Sequence, residues 1–270
     1  MTWLAAVILG AVQGATEFLP VSSSAHLAIV ARLLKVDAEG LLAFFVILHF
    51  GTLLAVVTYY RRDFAAMLRS LVVWSTADPA EQSLLGQSRK LLGLLLIGTI
   101  PAALAGVLLE DRIAALFSSM LAVGLALVIT GLVLLAVNWH SGRRGPAETG
   151  LREALVIGVA QACALPPGIS RSGMTIAAGL ACGLHRDWAP RFAFLFSVPV
   201  ILGGTLLEAK RLLEHPLAGN QLALYLLGGL VAALAGYLAV HVVVRAVRAG
   251  NLIYFAAYCI LLGTVTALAG

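Results

Sequence analysis

A proline and three serines break the first apolar run of this chain, and a carboxylate and an imidazole stand on either side of the break. The run extends from Met1 to Ala31, and its centre reads Gln13-Gly14-Ala15-Thr16-Glu17-Phe18-Leu19-Pro20-Val21-Ser22-Ser23-Ser24-Ala25-His26. Ionisable groups inside so apolar a segment are costly unless they face a protein interior or a water-filled cavity, so each is a candidate functional group. The pattern returns in the second half. Placing Gly10 on Gly158 also places Gln13 on Gln161, Ser22 on Ser170 and Ser24 on Ser172, with Val21 on Ile169 and Ser23 on Arg171. The second copy continues Pro166-Pro167-Gly168-Ile169-Ser170-Arg171-Ser172-Gly173-Met174-Thr175. The rest of the chain reads as a scaffold that brings these two segments together.

Hydrophobic residues make up 61% of the chain and charged residues 11%, with a mean hydropathy of +0.98. Several apolar runs reach the roughly 20 residues that cross a bilayer. A soluble helical domain would need far more charged surface, so a multi-span membrane protein is expected. A cleavable signal peptide is not expected, because the first segment lacks a basic start and carries Glu17 and Pro20. The net charge of +5 is a loop property in such a protein and does not argue for nucleic acid. Cys163, Cys182 and Cys259 lack metal-ligand spacing and read as small core residues.

Residues 1–36 are too long for one span and too short for two. Pro20 and the serines predict a re-entrant hairpin, with a half-helix to about Leu19 and a second from about Ser22. Such a tip is tolerated at membrane depth only where it is buried in protein or lines a cavity. Spans are expected at about Leu41–Tyr60, Leu91–Leu109 and Ile113–Val137, with a loop over Arg61–Lys90. The second half repeats the plan. It has a hairpin at 151–184, then spans near Arg191–Ala209, Gln221–Val243 and Asn251–Leu268, after a linker at 138–150. The fold class predicted is therefore an all-α polytopic membrane protein of two repeats, 1–137 and 151–270. Three crossings per half is an odd number, so the repeats have inverted topology, which places sites near the midplane between them.

Twelve basic loop residues, among them Arg61, Arg62, Lys90, Arg143, Arg144, Arg191 and Arg248, fall on one side of this topology. Five (Arg32, Lys35, Arg112, Lys210 and Arg211) fall on the other. The basic side is expected to be cytoplasmic, with both termini and the first hairpin opening to the exterior.

Gln13 and Glu17 share a helical face and offer oxygens of the kind that hold Mg²⁺ or Ca²⁺ together with waters and substrate phosphates. Ser22, Ser23 and Ser24 lie at a helix start, where free N–H groups and the dipole favour an anion. His26 could serve as base, acid or nucleophile toward phosphorus. Arg171, between Ser170 and Ser172 and ahead of Thr175, can pair bidentately with phosphate oxygens. No Gly-Lys-Ser/Thr loop is present. Together these groups suit the holding and cleavage of a phosphate ester or anhydride. His49, in mid-span, is open to either a supporting or a packing role. His140, His185, His215 and His241 read as interface residues.

The Gln13–His26 segment resembles the (Glu/Gln)-x-x-x-Glu signature and following Ser-Ser-x-x-His of the BacA-type undecaprenyl-diphosphate phosphatases. Pro167–Thr175 is similar to that family's Pro-Gly-x-Ser-Arg-Ser-x-x-Thr, and Leu48-His49-Phe50-Gly51-Thr52, Arg61-Arg62-Asp63 and Arg191–Leu195 match its flanking pattern. The resemblance implies an integral inner-membrane enzyme that removes the terminal phosphate of the C55 lipid diphosphate. It also implies recycling of the carrier for wall polymers, a link to bacitracin resistance, a divalent metal and an exterior-facing site. Carried over, Glu17 and Gln13 would serve metal and diphosphate. Ser22, Ser24, Ser170, Ser172 and Thr175 would hold phosphate oxygens, and Arg171 would clamp the transferred group. The nucleophile is Ser23 assisted by His26, His26 itself, or water. Gln13, Phe45 and Cys259 depart from the usual pattern. A polyprenyl-phosphate transporter or flippase is the rival reading, and a homodimer is left open.

Overall fold

The computed structural model describes residues 1–36, 41–73, 79–117, 119–214 and 219–269. Expectations that fall on His215 and on residues 74–78 of the first long loop lie outside them, as do the side chains of Lys210 and Arg211. Twelve helices run in chain order among the described residues. The first half holds α1 (Trp3–Phe18), α2 (Ser23–Leu33), α3 (Leu41–Tyr59), α4 (Arg61–Val72), α5 (Pro79–Leu108), α6 (Glu110–Leu116) and α7 (Met120–Val137). The second half holds α8 (Leu151–Cys163), α9 (Arg171–Ala181), α10 (Trp188–Glu214), α11 (Gly219–Arg248) and α12 (Leu252–Ala269). Five of them are long and apolar enough to cross a membrane, and α3 joined to the sharply bent α4 makes a sixth. The all-helical, multi-span expectation holds.

Three expected boundaries differ, the first being that α5 starts at Pro79 and so takes in the second part of the stretch expected as a loop up to Lys90. The stretch expected as a loop from Arg61 is helix α4, bent by 80° from α3, because its apolar residues recur at helical spacing. Met67 and Ser70 face inward while Leu68, Leu71 and Val72 are exposed. The single span expected from Ile113 is split, and α7 begins afresh where Ser119 Oγ accepts from Ala122 N at 3.2 Å. Cys163 is exposed rather than in the core, on a helix side where a small apolar group costs little against lipid. His241 lies within α11 and meets the Tyr59 hydroxyl at 3.3 Å.

Both breaks fall where the prolines and serines put them. α1 stops at Phe18, and Ser22 caps α2. α8 gives way at Ala164 to the Pro-Pro-Gly turn, and Ser170 caps α9 by accepting from Gly173 N at 3.1 Å. Each hairpin is held by a long helix of the other half: α1 packs on α11, and α8 on α5. The crossings are glycine on glycine. A Cβ at Gly10 would sit 2.4 Å from the Gly228 carbonyl oxygen, and one at Gly158 would sit 2.0 Å from that of Gly98. Phe44 of α3 covers Gly228 as Phe196 of α10 covers Gly98. α7 and α12 close the bundle against each other, again through facing glycines, Gly124 and Gly263.

Candidate active site

The two tips meet. Gly168 N donates to Ser24 Oγ at 3.4 Å, Ser172 Oγ donates to the Leu19 carbonyl at 3.0 Å, and Arg171 makes an ion pair with Glu17. Thr130 of α7 fastens the second tip from the side, donating to the Gly168 carbonyl and accepting from Ser170 N. Gly168 has a φ of 100°, a conformation that glycine adopts without strain.

A cavity of about 420 Å³ opens beside this junction. Glu17, Ser22, Ser23, Ser24, Ser170 and Arg171 supply its polar wall, together with His49. Phe45, Phe117, Val200 and Ile201 supply an apolar one. Glu17 is the hub. Its Oε2 accepts from Ser23 Oγ at 2.6 Å and from Gln13 Nε2 at 2.9 Å, while its Oε1 faces Arg171. The carboxylate is buried, and a charge so placed persists because it is paired and hydrogen-bonded. Serine hydroxyls and the starts of α2 and α9 converge on the same volume.

Six of the ten residues singled out from the sequence line the cavity, Glu17, Ser22, Ser23, Ser24, Ser170 and Arg171, and Gln13 stands behind them on Glu17. Ser172 and Thr175 do not reach it. Ser172 ties the second tip to Leu19, and Thr175 Oγ1 donates to the carbonyls of Arg171 and Ser172.

His26 turns away. Its Nδ1 lies 2.7 Å from the Ser22 carbonyl oxygen, which can only accept, so this nitrogen carries the proton. Its Nε2 then accepts from the Tyr258 hydroxyl, also at 2.7 Å, and the two rings stack. Both ring nitrogens are occupied outside the cavity. What His26 grips is the carbonyl of Ser22, a non-glycine residue at φ 67°; such a conformation costs about 1–3 kcal/mol and persists only when its surroundings enforce it. His26→Ala is expected to lower activity by releasing Ser22, whereas His26→Gln, whose amide can still donate to that carbonyl, retains activity to within about tenfold. Equal loss in both variants, measured as product formed per folded protein, would return His26 to a chemical role.

His49 is the residue for which sequence spacing left packing and function balanced. Its Nδ1 donates to the Phe45 carbonyl at 2.8 Å, which leaves Nε2 facing the cavity, 3.9 Å from Glu17 Oε2. The signal available was an intramembrane histidine one helix over from an intramembrane acid. Thr205, whose buried hydroxyl has no hydrogen-bond partner among the described residues, also lines the cavity and carried no sequence signal. Cys259 donates to the Pro20 carbonyl at 3.5 Å and packs beneath the first tip.

Fold and site define a polytopic helical membrane protein with an arginine-bearing polar cavity at the junction of two broken helices. A family model described as "Bacitracin resistance protein BacA" matches residues 6–265. Proteins named undecaprenyl-diphosphatase are similar along their whole length. That of Alcanivorax borkumensis is 41% identical, covering 97% of each chain. That of Moorella thermoacetica is 40% identical over 98% of this chain and 97% of its own. That of Methanosphaera stadtmanae is 36% identical over 97% and 96%. The chain belongs to the BacA family.

Proposed function

We infer that this protein is a membrane phosphatase that hydrolyses undecaprenyl diphosphate to undecaprenyl phosphate and inorganic phosphate. The family and the full-length relatives named for that activity support the reading. The observation that carries it at the site is the Glu17–Arg171 pair, ringed by serines at the wall of a cavity with one polar and one apolar side. A diphosphate head fits the first side and an isoprenoid tail the second. A transporter would need the arginine and the broken helices but no serine hydroxyl aligned on a carboxylate.

In the mechanism this geometry supports, Arg171 and the N–H groups at the starts of α2 and α9 hold the terminal phosphoryl oxygens. Ser23 Oγ passes its proton toward Glu17 Oε2 and attacks the terminal phosphorus. The bond to the bridging oxygen breaks, and undecaprenyl phosphate leaves. Water, deprotonated by His49 Nε2, then attacks the phosphoserine phosphorus; the bond to Ser23 Oγ breaks, Glu17 returns its proton to that oxygen, and inorganic phosphate leaves. Charge stabilisation by Arg171 supplies most of the rate.

The donor set suits a divalent cation held chiefly by substrate. Glu17 supplies a carboxylate, and Gln13 Oε1 is a buried oxygen without a partner in the same side-chain pair. A hard cation that keeps waters and substrate phosphates needs little more from protein. Bound there, Mg²⁺ or Ca²⁺ would neutralise charge on the diphosphate.

The inverted-repeat reading is supported by the paired crossings of Gly10 on Gly228 and Gly158 on Gly98, with Phe44 and Phe196 in matching places. The division at 138–150 follows from it. The excess of loop arginines and lysines at the Arg61–Arg248 end supports a cytoplasmic location for that end, so the site and both termini belong to the outer face of the plasma membrane.

The experiment is phosphate release from C55 diphosphate by the purified protein in detergent, with Mg²⁺ or Ca²⁺ and then with EDTA. Release that EDTA suppresses is expected. Release unaffected by EDTA removes the metal from the reading. No release in any condition from folded protein overturns the phosphatase.

A further inference from the structure

A second cavity, of about 310 Å³, lies where α4, α5, the 138–150 linker and the start of α10 converge. It is separate from the first. α10 lines both, but Arg191 and Val200, one on each wall, stand about 14 Å apart along the helix.

Its floor is rigid. The buried indole of Trp188 donates to Thr149 Oγ1 at 2.8 Å, and that hydroxyl donates to the Gly145 carbonyl at 2.8 Å. Arg191 lies over the Trp188 ring, 5.6 Å from its centroid, and pairs through Nη2 with Asp63. Its remaining N–H groups have no acceptor among the described residues. Lys90 donates to the Ala147 carbonyl at 2.9 Å; it makes no ion pair at contact distance among the described residues, and the one carboxylate its charge acts on is the exposed Glu148. The cavity wall thus carries two cations and one anion, with Ser88 and Gln87 beside them. Glu148, in the same loop, is exposed and accepts from Gly145 N at 2.8 Å.

We propose that this cavity binds a phosphate group between Lys90 and Arg191. The paired Asp63 holds the guanidinium in place without cancelling Lys90, and spare N–H groups on two cations are what a tetrahedral oxyanion requires. The volume takes a phosphate head and excludes a long chain. Two sources share the chemistry: free inorganic phosphate, or the head of a lipid lying in the interface beside α4. α4 favours neither on its own, but its basic residues and its exposed Leu68, Leu71 and Val72 have the composition of an interfacial helix. The proposal does not depend on the catalytic reading.

The test uses full-length protein in neutral detergent carrying Arg171→Ala, chosen to weaken any phosphate binding at the first cavity, with and without Lys90→Met, so that the Lys90 comparison is read on one background. Equilibrium binding of labelled inorganic phosphate and of dodecyl phosphate is measured on both, with helicity and monodispersity checked. Saturable binding weakened about tenfold by Lys90→Met is expected, the loss of one charge-assisted contact. Binding of both ligands supports a site for free phosphate, and binding of dodecyl phosphate alone supports a lipid head. Lys90→Met in the otherwise native protein keeps its phosphate-release rate. Identical binding in the two proteins, or binding of neither ligand, overturns the proposal.

Discussion

Arg171→Ala is expected to lower the rate of phosphate release by at least about 10³-fold, the scale on which removal of a preorganised charge from a transition state is felt. The substitution also leaves the buried Glu17 carboxylate without its cation. Breaking such a pair costs about 3–5 kcal/mol, so stability must be read alongside activity. Arg171→Lys separates the two effects. It keeps a positive charge beside Glu17 and so restores most of the stability, but it loses the planar fork that grips two phosphate oxygens. The expected pattern is thermal unfolding close to that of the parent with activity still reduced by more than tenfold. Full activity in a folded Arg171→Ala protein would falsify the proposed site.

The largest effect on stability is expected from Gly158→Leu. At this position a Cβ alone would sit 2.0 Å from the Gly98 carbonyl oxygen, so α8 and α5 must move apart before any side chain fits. Overpacking a closed contact costs about 1–3 kcal/mol when neighbours can adjust. Here the neighbour is backbone, and the expected result is protein that aggregates on extraction or unfolds well below the parent temperature. Gly93→Leu on the same α5 is the control, because nothing lies within 4 Å of its added Cβ. It should change stability by less than about 0.5 kcal/mol. Similar unfolding temperatures for the two variants would show that the glycine crossing is not what holds the second hairpin.

The two breaks were legible because each rests on local chemistry. Pro20 cannot continue α1, and Ser22 and Ser170 are in the right places to cap the helices that follow. The face shared by Gln13 and Glu17 follows from helical spacing alone, and the hydrogen bond between them was implicit in it. The helix at Arg61–Val72 was less visible, since its arginines suggested a loop and only the recurrence of Phe64, Met67, Leu68 and Leu71 spoke for a helix. The surroundings of the two histidines could not be read at all. His26 is adjacent to the serines in sequence, yet one turn of helix carries its ring toward Tyr258, which lies 232 residues away. His49 is remote in sequence, and it is the packing of α3 against α1 that brings it beside Glu17. Which residue meets which across the bundle is a property of tertiary packing, and period and composition are silent on it.

The exchange of partners between halves has a consequence for the order in which the chain is made. Glu17 emerges from the ribosome 154 residues before Arg171, and α1 long before α11, the helix that covers its glycine face. Until the second half is synthesised, the first hairpin carries an acid without its arginine and a helix that has α2 and α3 beside it but not the α11 face it packs on most. It cannot settle at its final depth as a finished unit. The last helices made are the ones that complete the packing of the first.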